Sequence, residues 1–330
     1  MQQTAKHTSI PRLVISLCIL ALTVWVFFNR DYVVDQLTVW QYKPSVTVAT
    51  IAERSAMNEN GRFLFYASQP RIENRDTFNQ YCRKHAEQTA ILGCYAARTI
   101  YLYNITDQRL DGIVEVTAAH EMLHAAYDRL SASEKKRVDG LINDAARSMN
   151  NPTIEKKLAL YDQTEPGERL NELHSMLGSE VKELPAELET YYAQYFTNRL
   201  ALVSLSEQYE KVFAELELRQ TQLVNELNTL AAQINNDNET YKVQFSQLQE
   251  DVESFNTRAG NDVFSTQAQF NAERSRLVAQ QRELSNSRAS IVTAIEAYEA
   301  KRAELDSLNG TASGLQDSID STSIPEVPSL

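Results

Sequence analysis

Basic residues are sparse in this chain, and glycine, proline, cysteine and histidine are sparser still. Lysine and arginine number 32 against 44 acidic residues, a formal net charge of −12. No stretch is basic enough to form a phosphate-tracking surface or to be drawn electrostatically to anionic lipid, which excludes nucleic acid as the main partner. Nine glycines and eight prolines in 330 residues exclude collagen-like and low-complexity architectures. What remains, with 43% hydrophobic residues, suffices for one sizeable core and something more.

The N-terminus stands apart from that core. Lys6 and Arg12 precede an uncharged apolar run from Leu13 to Phe28, which ends at Asn29-Arg30-Asp31. The run is longer than a typical signal-peptide core and slightly short of a full ~20-residue span. Pro11, Arg12 and Asn29 can occupy the interfaces, with Arg12 snorkelling. No small-x-small cleavage site follows Phe28, so a retained signal anchor is expected in preference to a cleaved signal. A buried core helix is the alternative; a run apolar on all faces that also sits at the very terminus favours the anchor. The positive flank puts the N-terminus in the cytoplasm and everything after residue 31 outside, as in a single-pass plasma-membrane protein. Cys18 lies within the run. Cys82 and Cys94 are the only cysteines beyond it, and an even pair in an oxidising compartment reads as a disulfide. Free thiols, and a metal half-site from the Cys82-x-x-His85 spacing, are the alternatives.

Four segments are expected: residues 1–31 as cytoplasmic terminus and anchor, 32–200 as a mixed domain, 201–310 as a helical hairpin, and 311–330 as a disordered tail. In the mixed domain, β-rich runs at 46–50, 62–66 and 99–103 precede helices, which predicts an α+β fold. One helix runs from about Ile113 to Leu130, and Ser131-x-x-Glu134 is a capping box opening the next, to about Met149. Pro152 starts another; Pro166-Gly167 precedes a helix that Gly178 stops, and Pro185 sits at the first turn of a further one. From about Leu200, apolar residues recur at steps of three and four to Phe255, break at Gly260-Asn261, and resume from Phe270 to Leu308. That texture predicts an antiparallel coiled-coil hairpin, a surface for spacing, self-association or partner binding.

One short stretch carries chemistry: His120-Glu121-Met122-Leu123-His124. Histidines four apart share a helix face, so both Nε2 atoms can reach one ion, with Glu121 beside the open coordination position. Bound zinc would acidify a water, and Glu121 could accept its proton and pass it to a leaving amine. With five histidines in the chain, chance would produce this pattern on the order of once in a hundred sequences.

The motif and its uncharged flanks, Ala118, Ala119, Met122, Leu123, Ala125 and Ala126, resemble the zincin metallopeptidases. So does the β-rich run ending near Tyr103, because in that family an edge strand aligns an extended peptide. The resemblance is secure for the motif helix, loose over residues 45–200, and absent from the hairpin. It implies Zn2+ as cofactor and a third protein ligand. Asn171-Glu172 resembles the Asn-Glu pair of the gluzincin branch, which makes Glu172 the expected ligand, with His174 the rival and Glu168 a distant third. That branch often has an Asp four residues on, supporting the first histidine; here Met176 stands there, and Glu168 or Asp128 would have to substitute. The metzincin pattern is excluded, since its third ligand falls at Leu130. For an oxyanion donor, Tyr127, Tyr161, Tyr191, Tyr192 and Tyr195 are all available and the sequence chooses none.

The expected function is therefore a membrane-anchored zinc metallopeptidase acting on extracytoplasmic peptide or protein. A coiled-coil envelope scaffold with an inactive peptidase-like domain is the alternative from another class; a metal-dependent amidase on cell-wall peptides would present the same residues.

Overall fold

Two serine and asparagine caps produce the first departure from these expectations. The computed structural model describes residues 10–82, 91–149, 158–159 and 167–322, with side chains from residue 14 onward. Within them, helix α1 (Ile10–Phe28) is followed by α2 (Arg30–Gln41), α3 (Val46–Arg54) and α4 (Glu59–Ala67). The runs at 46–50 and 62–66, expected as strands, are thus helical. The Val48 N–H donates to Ser45 Oγ at 3.2 Å and the Gly61 N–H to Asn58 Oδ1 at 3.0 Å, satisfying N-terminal donors that a helix otherwise leaves free. Val48, Ile51 and Ala52 are buried at helical spacing. Packing of that face outweighs the β-propensity of Val and Thr.

Only the 99–103 run is a strand. Three short strands, β1 (Arg71–Glu73), β2 (Gly93–Ala96) and β3 (Thr99–Tyr103), form a sheet of order β1-β3-β2, with helix α5 (Arg75–Cys82) after β1. β1 runs parallel to β3, and β2 antiparallel to it, pairing Gly93 with Leu102 and Ala96 with Thr99. Alternate residues of β3 serve two clusters: Ile100 and Leu102 join the main core, whereas Tyr101 and Tyr103 pack with Phe78, Cys82 and Cys94. This is the period-two consequence of a strand buried on both faces.

Helix α6 (Ile113–Asp128) crosses beneath the sheet, followed by α7 (Ala132–Met149), α8 (Arg169–Ser179) and α9 (Ala186–Tyr192). α6 starts at Gly112, whose φ of +94° favours glycine and where a Cβ would stand 2.8 Å from Leu205 Cβ,. The capping box of α7 is formed: the Ser131 N–H donates to Glu134 Oε2 at 3.0 Å and the Glu134 N–H to Ser131 Oγ at 3.3 Å. The start of the helix expected from Pro152 lies outside the described residues; Leu158 and Ala159, which are described, are helical. The fold is thus mostly helical with one small sheet, and its strands do not all precede its helices.

Two long helices follow, α10 (Arg199–Gly260) and α11 (Gln267–Ile319). The chain divides into one unit of residues 1–212 with 316–330 and a second of residues 213–315. In the second unit the two helices lie antiparallel, as the Arg219–Glu304, Glu226–Lys301 and Asp251–Arg276 pairs show. Leu277, Leu284 and Ile291, spaced by sevens, are buried along the seam, consistent with a coiled coil.

Both expected hairpin boundaries shift. Leu202 and Val203 of α10 are buried, and Leu202 belongs to the main core. At the other end α11 continues to Ile319, where a disordered tail was expected from 311. Ser321 is fully buried; it donates to the Ile91 carbonyl at 2.6 Å. Residues 323–330 lie outside the described part.

The apolar N-terminal run is helical, and its side chains from Val14 to Phe28 are almost all exposed. Among the described residues, no single helix is long and apolar enough to cross a membrane. Val14–Phe28 and Arg30–Gln41 reach that length and composition only as a pair, across a bend of 86°.

Candidate metal centre

Helices α6 and α8 pack side by side, and their facing surfaces bring three ligand-type side chains together. His120 and His124 share one face of α6 because four residues make just over one turn. Glu172, in the first turn of α8, points between them. The Nε2 of His124 lies 3.4 Å from Glu172 Oε1 and that of His120 lies 3.5 Å from Glu172 Oε2. One ligand atom from each residue falls within 4.8 Å of the others.

Two observations test whether the trio fits a metal ion. A divalent ion bound tetrahedrally at ~2.0–2.1 Å holds neighbouring ligand atoms about 3.4 Å apart, and each imidazole stands about that far from one carboxylate oxygen, His124 from Oε1 and His120 from Oε2. Glu172 Oε2 is also buried without a hydrogen-bond donor, a costly state for a carboxylate oxygen unless a cation faces it. At 3.5 Å the His120 ring attracts it electrostatically without bonding to it. The residues fit.

Their support is built into the same helices. Asn171 Oδ1 lies 3.0 Å from His124 Nδ1, and Asn171 Nδ2 donates to Glu168 Oε2 at 3.0 Å. With its NH2 group committed to Glu168, the amide offers its oxygen to the histidine, so Nδ1 carries the proton and Nε2 is left for a ligand role. His120 Nδ1 faces Glu180 Oε1 at 3.6 Å, just beyond the C-terminus of α8. Glu180 thus stands where support for the first histidine was expected from Glu168 or Asp128. Asp128 instead accepts the Tyr95 hydroxyl at 3.3 Å. Sequence spacing gave no hint of Glu180.

Electrostatics follow from this crowding of acids. Burial opposes a charge on His120, yet Glu172, Glu180 and Glu121 together hold its pKa up to about 10,. Burial also works against ionised Glu172, but His124 and then His120 keep it below the usual glutamate range.

Glu121 lies in the same cleft, buried to 5% exposure, with Gly93 of β2 directly over it. A Cβ on Gly93 would stand 2.8 Å from both Cγ and Oε1 of Glu121. The missing side chain is what lets the strand backbone approach the carboxylate. Gly93 and Tyr95 line the cleft, as do Glu168 and Asn171. Neither Gly93 nor Tyr95 was singled out by sequence, because a short strand lacks a periodic signal.

The remaining candidates separate. His174 is fully buried behind α8: its Nε2 lies 2.9 Å from the Tyr191 hydroxyl, and Tyr127, Tyr191 and Tyr192 surround its ring. Burial, reinforced by His124 and His120, drives its pKa down to about 3, so it is neutral. It is not part of the trio. Glu168 lies at the rim and serves Asn171. Tyr127 donates to Asp139 at 2.7 Å, and Tyr191, Tyr192 and Tyr195 are buried in the core. None of the four lines the cleft; Tyr161 lies outside the described residues. Cys82 and Cys94 are joined as a disulfide, with Cα atoms 5.9 Å apart, tying α5 to the cleft strand. That removes the Cys82 thiolate from any metal half-site with His85, which itself lies outside the described residues.

Comparison of the chain with protein-family models, with curated proteins and with solved structures gives no match.

Proposed function

We propose that the protein is a membrane-anchored zinc metallopeptidase of the zincin type, hydrolysing peptide bonds in extracytoplasmic peptide or protein. The observation that carries this reading is the convergence of His120, His124 and Glu172, one ligand atom of each lying within 4.8 Å of the others, with Glu121 in the same cleft. The His120-Glu121-x-x-His124 order and the Asn171-Glu172 pair resemble the gluzincin pattern, with the departure that Met176 stands where that branch often has an Asp. Two imidazoles and a carboxylate favour zinc over harder cations, which prefer all-oxygen sites. Zinc held there supplies a Lewis acid that polarises the scissile carbonyl and acidifies a water.

The chain's own residues supply the rest. Glu121, one residue from a ligand but directed into the cleft, takes the proton from the attacking water and delivers it to the departing amine. Asn171 and Glu180 hold the two imidazole rings. The run ending near Tyr103, β3, is the central strand and not the edge; β2 beside it is an edge strand, and among the described residues its outer side pairs with no other strand. An extended substrate can add to that edge through main-chain hydrogen bonds, which orients it without demanding particular side chains.

Anchorage is supported by the exposure of the α1 side chains from Val14 to Phe28 and by its uncharged run, and an outer location by the Cys82–Cys94 disulfide,. The test uses the full chain in detergent or vesicles. Elemental analysis should find about one zinc per chain, and Glu121→Gln should keep the zinc while abolishing peptide cleavage. A chain purified without chelator that holds no transition metal would defeat the reading.

A further inference from the structure

The corner between α1 and α2 is built from specific bonds. Asn29 at the bend has its own N–H and its Nδ2 both directed at the Trp25 carbonyl, each 2.9 Å away, while its carbonyl accepts the first α2 bond, from Val33 N–H at 3.0 Å. Asn29 thus makes the last backbone bond of α1 and accepts the first of α2, and the helices meet at 86°.

Helix α2 has two unlike faces. One is docked: Asp35, 4% exposed, accepts from Arg98 Nη2 at 2.6 Å and from Arg129 Nε and Nη2 at 2.8 and 3.0 Å. Nearby, Tyr32 packs on Phe63 of α4, and the Tyr42 hydroxyl donates to the Pro70 carbonyl at 2.8 Å. Leu37 and Trp40 lie about 140–160° round the helix from Asp35, and they are 52% and 81% exposed. Val34, at their flank, is 50% exposed. A tryptophan so bare on a helix whose other side is locked down is not a core residue.

We propose that α2 lies flat in the interface of the bilayer that α1 enters, with Leu37 and Trp40 in the lipid headgroup region, so that the metal-site domain is seated on the membrane surface. The inference rests on reading α1 as the anchor. Lipid is the occupant the geometry favours, for three reasons. α1 is continuous with α2 through a bonded right-angle corner, so an upright α1 lays α2 parallel to the membrane plane. Asp31, Asp35, Gln36 and Gln41 make α2 too polar to span, but an interfacial helix needs only one apolar face. Tryptophan favours that depth, where its ring meets hydrocarbon and its N–H meets water.

The docked face also explains what this seat would hold. Arg129 follows the last residue of α6, and its Nη1 donates to the Tyr95 hydroxyl at 3.0 Å; Tyr95 lines the cleft. Arg98 lies in the β2–β3 turn with a φ of +64°, and Asp35 clamps it there. A membrane-bound α2 thereby fixes both the site helix and the cleft strand relative to the lipid surface.

The chain contains two tryptophans, Trp25 in α1 and Trp40 in α2, so each can be read alone. The full chain carrying Trp25→Phe would be placed in phosphatidylcholine vesicles with and without bromine near the headgroup end of the acyl chains. Trp40 emission should shift to the blue and lose intensity to the bromine, more than with bromine at the chain terminus. The Trp40→Phe chain reports Trp25 in the same vesicles. If Trp25 is quenched while Trp40 emits as in water, the anchor stands and the interfacial helix is wrong. If Trp40 shifts to the blue without quenching by bromine, protein rather than lipid covers it, as in a second copy of the chain, and the proposal again falls. If neither is quenched, the anchor reading itself has failed.

Discussion

Asn171 Oδ1 and His124 Nδ1 stand 3.0 Å apart across the α6–α8 interface, and that contact fixes which nitrogen of the imidazole faces Glu172. Removing it leaves the three ligands in place but frees one ring to rotate and to change tautomer. Asn171→Ala should therefore weaken zinc binding by ~10–100-fold, as is usual for partners of metal-bound histidines. Asn171→Asp, which keeps an acceptor at the same place, should bind within a few-fold of the original. Competition against a chromophoric chelator measures both. Equal affinity for all three chains would show that Asn171 does not orient His124.

Gly93 gives a prediction about Glu121 that leaves the metal alone. An added methyl would overlap Thr117 Cγ2 at 2.6 Å and Glu121 Oε1 at 2.8 Å, both side-chain atoms able to move. The strand and the helix should survive, with the Glu121 carboxylate pushed aside. Displacing a proton-transfer group by about 1 Å costs on the order of 10²-fold in rate. Gly93→Ala should thus retain zinc and lose roughly that much of kcat. Unchanged peptide cleavage would mean that Glu121 is not held in place by β2.

The two helices that carry this site were legible in the sequence, because each has an independent signal. For α6 the signal is apolar periodicity from Ile113 to Leu130, and for α8 it is the punctuation by Pro166-Gly167 before it and Gly178 near its end. The failures have local causes. Residues 46–50 and 62–66 read as strands by composition, and the caps that make them helical, Ser45 and Asn58, lie just outside the apolar runs. Glu180 was invisible, since a lone acid after a helix end acquires meaning only when His120 is found 3.6 Å away. Tyr95 and Gly93 belong to a four-residue strand, too short for a pattern. The hairpin boundaries failed for another reason: heptads mark where a helix is continuous, and they do not mark where it stops touching the first unit.

His174 separates a ligand from a core residue. Its ring fills a pocket of three tyrosines and its Nε2 meets the Tyr191 hydroxyl. His174→Ala should keep zinc and lower the unfolding free energy by about 2–4 kcal/mol through the cavity and the lost hydrogen bond. Glu172→Ala should do the reverse, losing zinc while leaving the metal-free chain nearly as stable. Metal content and urea denaturation, measured on both variants with zinc removed for the second measurement, decide the matter. Zinc lost from His174→Ala and kept by Glu172→Ala would reverse the ligand assignment.

The last prediction concerns where the chain can be cut. A chain ending at residue 205 loses the α10 turn that carries Ser206, which is buried, and Tyr209, which packs on the main core. It also loses the return segment, in which Ser321 receives a bond from Asn79 Nδ2 and donates to Ile91. Ile91 lines the cleft beside β2, so this clasp holds one wall of the site. Such a chain should aggregate or open at β2, seen as fast hydrogen exchange across residues 91–103. Excising only residues 213–315 is a different operation. Near the base of the hairpin, Gln220 and Asn309 side chains bond at 2.8 Å, so the two helices leave and return side by side. Packed helices have axes ~8–10 Å apart, and a flexible glycine-serine linker of about eight residues spans ~15 Å. Joining Val212 to Gln316 through such a linker should preserve zinc binding and peptide cleavage, because core turns and clasp are both retained. If the linked chain also fails, the hairpin contributes to folding of the first unit through more than its two ends.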